Sequence, residues 1–264
     1  MKRPFAAIGR KTAARLDACR DGLAFLGETF SCFLSLLWRP RSFRFRDMAL
    51  AFERAACDGL PIAVMIGFIL GLILAFESAA SLRQFGVEVY VADLIAIGLF
   101  RELGPLVTAI ILAGRSGSAF AAEIGTMSVN EELDALSVMD LEPVRFLVLP
   151  RVIAAVIAMP LLTIASELAG LVGGALVLKA MDVPCETFWR HVTDSAGAAM
   201  VELGLWKSAL FGLLVGLVGC CAGIRTRRTA DGVGIAATQA VVGGMIAIAV
   251  ADGIIAVICY VLGV

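Results

Sequence analysis

Charge is scarce in this 264-residue chain. Asp, Glu, Lys and Arg together make 17% of it, against about 25% in an ordinary soluble domain. With 60% hydrophobic residues and a mean hydropathy of +0.92, a water-soluble fold has nowhere to bury so much apolar surface, and a membrane class follows. The formal net charge is only −1, which predicts no nucleic-acid partner. There is one histidine, His191, so neither a zincin pair nor a catalytic histidine pair is available, and His191 reads as a loop residue. No lysine closes a G-x-x-x-x-G-K-[ST] phosphate loop, and no G-x-S-x-G nucleophile turn occurs. The seven cysteines are odd in number, lack any C-x-x-C spacing and sit mostly in apolar stretches. They argue against a disulfide framework or a metal site. No alternating strand pattern is present, and Met1 to Asp21 lacks the apolar core and cleavage site of a signal peptide.

What the chain does have is long apolar segments. Crossing about 30 Å of hydrocarbon takes about 20 helical residues, and five stretches qualify, roughly 60–82, 94–114, 148–178, 203–224 and 235–262. Only helices or closed barrels satisfy the backbone in lipid, so the expected fold is an all-α membrane protein with five transmembrane helices. The basic residues are lopsided. Seventeen of the 22 Lys and Arg fall in residues 1–54, in the second-to-third connection or in the fourth-to-fifth connection. The positive-inside rule then places the N-terminus in the cytoplasm and, five being odd, the C-terminus outside. Two amphipathic stretches precede the first span. They are marked by Leu23, Leu26, Phe30, Phe33 and Leu37, then by Phe45, Met48, Phe52 and Ala56 among Arg44, Arg46 and Arg54. Such helices lie in the headgroup layer or pack on the bundle. The expected organisation is thus residues 1–58 as cytoplasmic N-terminus with interfacial helices, and 59–264 as the spanning domain. Four G-x-x-x-G pairs, Gly67–Gly71, Gly170–Gly174, Gly212–Gly216 and Gly219–Gly223, predict close helix approach or dimerisation.

Charges inside apolar runs cost about 3 kcal/mol each at a helix centre, so Glu77, Arg101, Glu102, Glu167, Glu202, Lys207 and Asp252 call for partners. Arg101 and Glu102 interrupt the run from Leu94 to Leu112, with Lys207 expected at similar depth. They either fix helix register as internal ion pairs or line a cavity for a polar headgroup or ion. Asp252 is expected to bond a neighbouring helix or the polar stretch 229–239.

The connection between spans two and three is the other distinctive segment. Ser128 precedes Glu131 by three residues, a capping-box spacing. Val129, Leu133, Leu136 and Met139 then form a stripe beside Asn130, Glu131, Glu132 and Asp134, and Pro143 stops the run. A short helix at about 128–142, apolar on one side and acidic at its start, either makes a helix-in-groove contact with a partner or is an ordinary connector packed on its own bundle. Any nucleotide chemistry must belong to another chain, since no phosphate loop is present.

Several long blocks carry a specific resemblance. Arg101–Met127, Glu132–Leu136, Pro143–Arg151 and Gly232–Val242 resemble, in order and spacing, the signature of the MlaE/YrbE permease family, from about Arg41 to the C-terminus. The resemblance implies the non-catalytic permease subunit of a bacterial ABC transporter for lipids, most often phospholipids, in the inner membrane. It implies a homodimer on two cytoplasmic ATPases that bind ATP and Mg, with no cofactor in this chain. A ring-forming MCE-domain protein on the periplasmic side and a STAS-domain protein complete the assembly. It further implies a coupling helix whose ATPase-docking residues are Glu131, Glu132, Leu133, Asp134, Leu136 and Met139. By the same resemblance a lipid pocket is lined by Leu74, Leu82, Phe85 and Glu102, with Lys207 nearby and Arg101 beside it. A self-contained secondary transporter or channel, or a membrane enzyme, are the competing classes. Neither inverted repeats nor a nucleophile or metal set supports them.

Overall fold

The computed structural model describes residues 20, 22–35 and 44–262, and every regular element among them is a helix. In chain order these are α1 (Gly22–Ser35), α2 (Phe45–Leu82), α3 (Glu88–Val129), α4 (Glu132–Val138), α5 (Val144–Ala180), α6 (Cys185–Ser195), α7 (Ala198–Ile224) and α8 (Ala230–Leu262). Five of them, α2, α3, α5, α7 and α8, are long and apolar enough to cross a membrane.

The five segments match the five expected spans, but the ends differ. The second amphipathic stretch is not a separate helix. Residues 45–82 form one unbroken helix, about 57 Å long at 1.5 Å per residue, so its first turns extend well past a 30 Å hydrocarbon layer. Hydropathy falls at Arg46 and Arg54, yet nothing there breaks a helix. The first stretch is α1, and only one of its sides meets the bundle. Phe25, Thr29 and Cys32 are buried while Leu23, Leu26, Phe30 and Phe33 are exposed. The Cys32 thiol donates to Glu142 Oε2 at 3.7 Å. Burial first, and then the Glu142 charge, push that thiol above its ordinary pKa. Leu37, Arg39 and Arg41 lie outside the described residues.

Three wide turns interrupt the long helices. At Leu99–Leu103, Ala113–Gly117 and Val144–Val148 the hydrogen bonds run i→i+5, as with Gly104 N–H donating to Leu99 O. Each absorbs one additional residue and tilts local carbonyls off the helix axis. On the opposite side of the bundle α6 covers the start of α3. There His191 Nδ1 meets Asp93 Oδ1 at 3.1 Å, Ser195 Oγ donates to the same carboxylate, and Tyr90 sits edge-on to the imidazole. His191 is therefore a helical docking residue and not a loop residue. The hydropathy pattern missed α6 because the helix is too polar to stand out.

Span α5 is the centre, with 61% of its apolar window buried, whereas α8 has 11%. The glycine pairs explain how α5 is gripped. A Cβ on Gly67 or Gly71 would overlap the backbone of Ser166 or Gly170 on α5, and one on Gly212 would lie 2.6 Å from Ala155 O. A Cβ on Gly219 would lie 2.7 Å from Gly117 O of α3. These pairs pack spans of one chain against each other, supplying close van der Waals contact where lipid offers no hydrophobic drive. Gly71→Ala is therefore expected to part α2 from α5 and cost about 1–3 kcal/mol. Gly114→Ala, with open space around its Cβ, is expected to be neutral. Thermal unfolding of the purified proteins in detergent checks both.

Candidate functional site

Two clusters of polar side chains stand out. The first lies within the spans. The wide turn at Leu99–Leu103 frees backbone carbonyls, and one of them, Arg101 O, accepts from Lys207 Nζ at 3.2 Å. The same ammonium bonds Glu102 Oε2 at 2.5 Å. It also pairs with Asp252 Oδ1 of α8 at 2.7 Å, as an ion pair more than an aligned hydrogen bond. Arg101 Nε lies 3.6 Å from Glu102 Oε1. Two cations thus face two carboxylates across α3, α7 and α8. Exposure grades along the cluster. The Lys207 side chain is 2% exposed, Asp252 17% and Glu102 38%. Lys207 is a buried anchor, and Glu102 is the group that reaches an open surface. Asp252 bonds a neighbouring helix, as expected, and its partner is Lys207.

The apolar residues of the expected pocket divide. Leu74 is half-buried and faces Gly98, one turn before Arg101. Leu82 is half-buried against the outer apolar cluster formed by Ile95, Leu99 and Leu178. Phe85 closes the short turn Arg83–Phe85 and is 76% exposed. A separate apolar groove of about 1220 Å³ runs between α1, α5 and α7, past Phe30, Val152, Leu205 and Trp206.

The second cluster gathers at the end carrying α4. Glu123 of α3 accepts from Arg54 of α2 at 2.8 Å and from Arg151 of α5 at 3.0 Å. Arg115 pairs with Asp58 at 2.9 Å, and Arg228 pairs with Asp134 at 2.8 Å. Groups the charge count placed on one side are thus brought together. The local start of α4 differs from expectation. Ser128 lies in the last turn of α3 and makes no cap. The reversal comes instead from Glu131, in a left-handed conformation with φ 61°. Asp140, φ 58°, closes the other end, with Leu141 N–H donating to Leu136 O in a Schellman arrangement. The helix proper is therefore Glu132–Val138, shorter than the stretch 128–142. Within it Leu136 is buried and Leu133 packs on the inner core. Val138 (87%), Met139 (61%) and the side chains of Glu131, Glu132 and Asp134 face outward. The stripe read from the sequence thus divides into an inward pair and an outward tip.

Comparison with known proteins gives a consistent result. Residues 49–258 match the family model described as Permease MlaE. The chain is 36% identical over 197 residues to a probable ABC transporter permease protein of Rickettsia prowazekii, covering 74% of this chain and 76% of that one. A protein of the same description from a Synechocystis species is 36% identical over 196 residues, 74% of each. The intermembrane phospholipid transport system permease protein MlaE of Haemophilus influenzae is 34% identical over 205 residues, covering 77% of this chain and 78% of that one.

The matched segment contains every member of the Lys207 cluster. Lys207→Met strips two acids of their buried counter-charge and is expected to destabilise by about 3–5 kcal/mol. Lys207→Met combined with Asp252→Asn is expected to recover part of that loss. Unfolding midpoints of the two variants in detergent test this.

Proposed function

The chain belongs to the MlaE permease family, and from that premise we propose that it is the membrane-spanning subunit of an ATP-driven transporter that moves phospholipid between the inner membrane and the cell envelope. ATP is bound and hydrolysed, with Mg, by a separate cytoplasmic chain, and this polypeptide supplies the path and the handle. The observation that carries the reading is the outward tip of α4. Val138 and Met139 stand exposed beside Glu131 and Glu132, on a helix whose inner residues Leu133 and Leu136 are seated on the core. Apolar residues so exposed beyond the spans, next to acidic ones, suit insertion into a groove on a partner. Docking therefore runs through Val138, Met139, Glu131 and Glu132. Leu133 and Leu136 transmit the contact to the bundle, and Asp134 ties α4 to Arg228.

Two copies of the chain on two ATPases frame a cavity between them. The outward end of α2, with Leu74, Leu82 and Phe85, offers apolar surface to acyl chains. Glu102, held by Lys207 and Arg101, offers a polar level for a headgroup. An MCE-domain ring on the periplasmic face continues the path, and a STAS-domain protein binds the ATPases. The basic residues collected around Glu123 and α4 support the cytoplasmic placement of that end, with the C-terminus periplasmic.

Val138→Glu with Met139→Glu is expected to reduce co-purified ATPase by at least about tenfold, the loss of some 1.4 kcal/mol or more of apolar contact, while leaving the unfolding midpoint of the permease unchanged. Undiminished co-purification would remove the docking role. Phe85→Asp changes an exposed residue and is expected to leave the fold intact. It is expected to lower photo-crosslinking of phospholipid to the complex several-fold, and wild-type crosslinking would argue against an entry route past Phe85.

A further inference from the structure

Glu167 of α5 belongs to neither cluster. It is 3% exposed in the middle of the most buried span, and among the described residues its carboxyl has no ion pair or hydrogen bond. It packs against Gly104 of α3, where a Cβ would lie 2.6 Å from Glu167 Oε1 and equally close to Leu99 O. The seam is thus tight enough to exclude a methyl group, and with it a hydrated cation. One turn along each of these antiparallel helices, and on the same face, stand Thr163 and Thr108. Both are fully buried, and neither hydroxyl has a partner among the described residues. The charged groups on the elements packed around this seam are otherwise engaged or turned away. Lys207 of α7 is taken by Glu102, Asp252 and Arg101 O, Arg101 lies beside Glu102, and Glu77 of α2 is exposed. The α2 face against α5 here presents Gly67 and Gly71.

A carboxylate in such a place would be an uncompensated charge in a low-dielectric interior, which is several kcal/mol worse than the neutral acid. We propose that Glu167 is a proton-binding site inside the span bundle. The α3–α5 seam holds it as the neutral acid, and opening of that seam to water releases the proton. In that step the carboxyl O–H bond breaks, the electron pair stays on oxygen, and the entering water takes the proton. The hydroxyls of Thr108 and Thr163 give arriving water its first hydrogen-bonding partners. The link to transport rests on the permease reading, since α3 carries Glu102. The protonated state of Glu167 in the closed seam does not.

Infrared spectroscopy of the full chain in lipid nanodiscs at neutral pH tests the site without any partner protein. The carbonyl stretch of a protonated carboxyl group is expected in the wild type and in Glu102→Gln, and is expected to be absent in Glu167→Gln. Should Glu167→Gln fail to accumulate, Glu167→Asp is expected to shift the band. A spectrum unchanged by either substitution would overturn the proposal. If the band is present and also falls when the assembled transporter turns over ATP, seam opening and proton release are joined. A band that stays constant through turnover would overturn the release step while leaving transport itself intact.

Discussion

Everything in this bundle depends on how closely backbones approach the central span. Apolar side chains gain nothing by leaving lipid for one another, so cohesion has to come from dense contact and from polar groups that find partners. Glycines of α2 and α7 lie directly on the backbone of α5, making α2, α5 and α7 a tightly fitted unit with α3 keyed into it. The same closeness leaves no room for unmet charge. It makes a four-charge cluster at Lys207 tolerable, because each member has an opposite partner within 3.6 Å.

The two polar levels of the molecule do different work. At the end carrying α4, salt bridges from Glu123 to Arg54 and Arg151 tie α2, α3 and α5 into one block, and Arg228 with Asp134 adds the connection into α8. Motion imposed on α4 therefore reaches several spans together. Within the bundle, Lys207 joins α7, α3 and α8, and α8 is the span with least of its surface covered. A displacement of α8 acts on the cluster directly, and through it on Glu102.

Much of this architecture is legible in the sequence, and the exceptions have physical causes. The five spans follow from apolar length alone. Their ends do not, because α2 stays helical through Arg46 and Arg54, where only hydropathy changes. The wide turns leave no compositional mark, so the carbonyl that Arg101 offers to Lys207 could not be foreseen, although the meeting of Glu102 with Lys207 could. By spacing, Leu133, Leu136 and Met139 fall on one stripe. The left-handed residues Glu131 and Asp140 set the orientation of α4, and no spacing rule distinguishes which side of so short a helix faces the core. Asp93 and His191 come together across 98 residues, a pairing without local signal. The cost of Glu167 follows from its place in an apolar run, but its isolation is a property of the packing.

The wide turns also set how α3 keeps its facing along its length. An ordinary helix turns about 100° per residue, so one added residue would swing everything downstream to a new face. At Leu99–Leu103 and Ala113–Gly117 the i→i+5 bonding takes up that surplus, and the residues beyond keep their bearing toward α7 and α8. One residue can therefore be taken up or given back at these two points without turning the rest of the span. Losing one residue there returns the turn to ordinary helix without changing its heading, whereas losing one a turn away would spin the half of α3 that carries Glu123 out of phase.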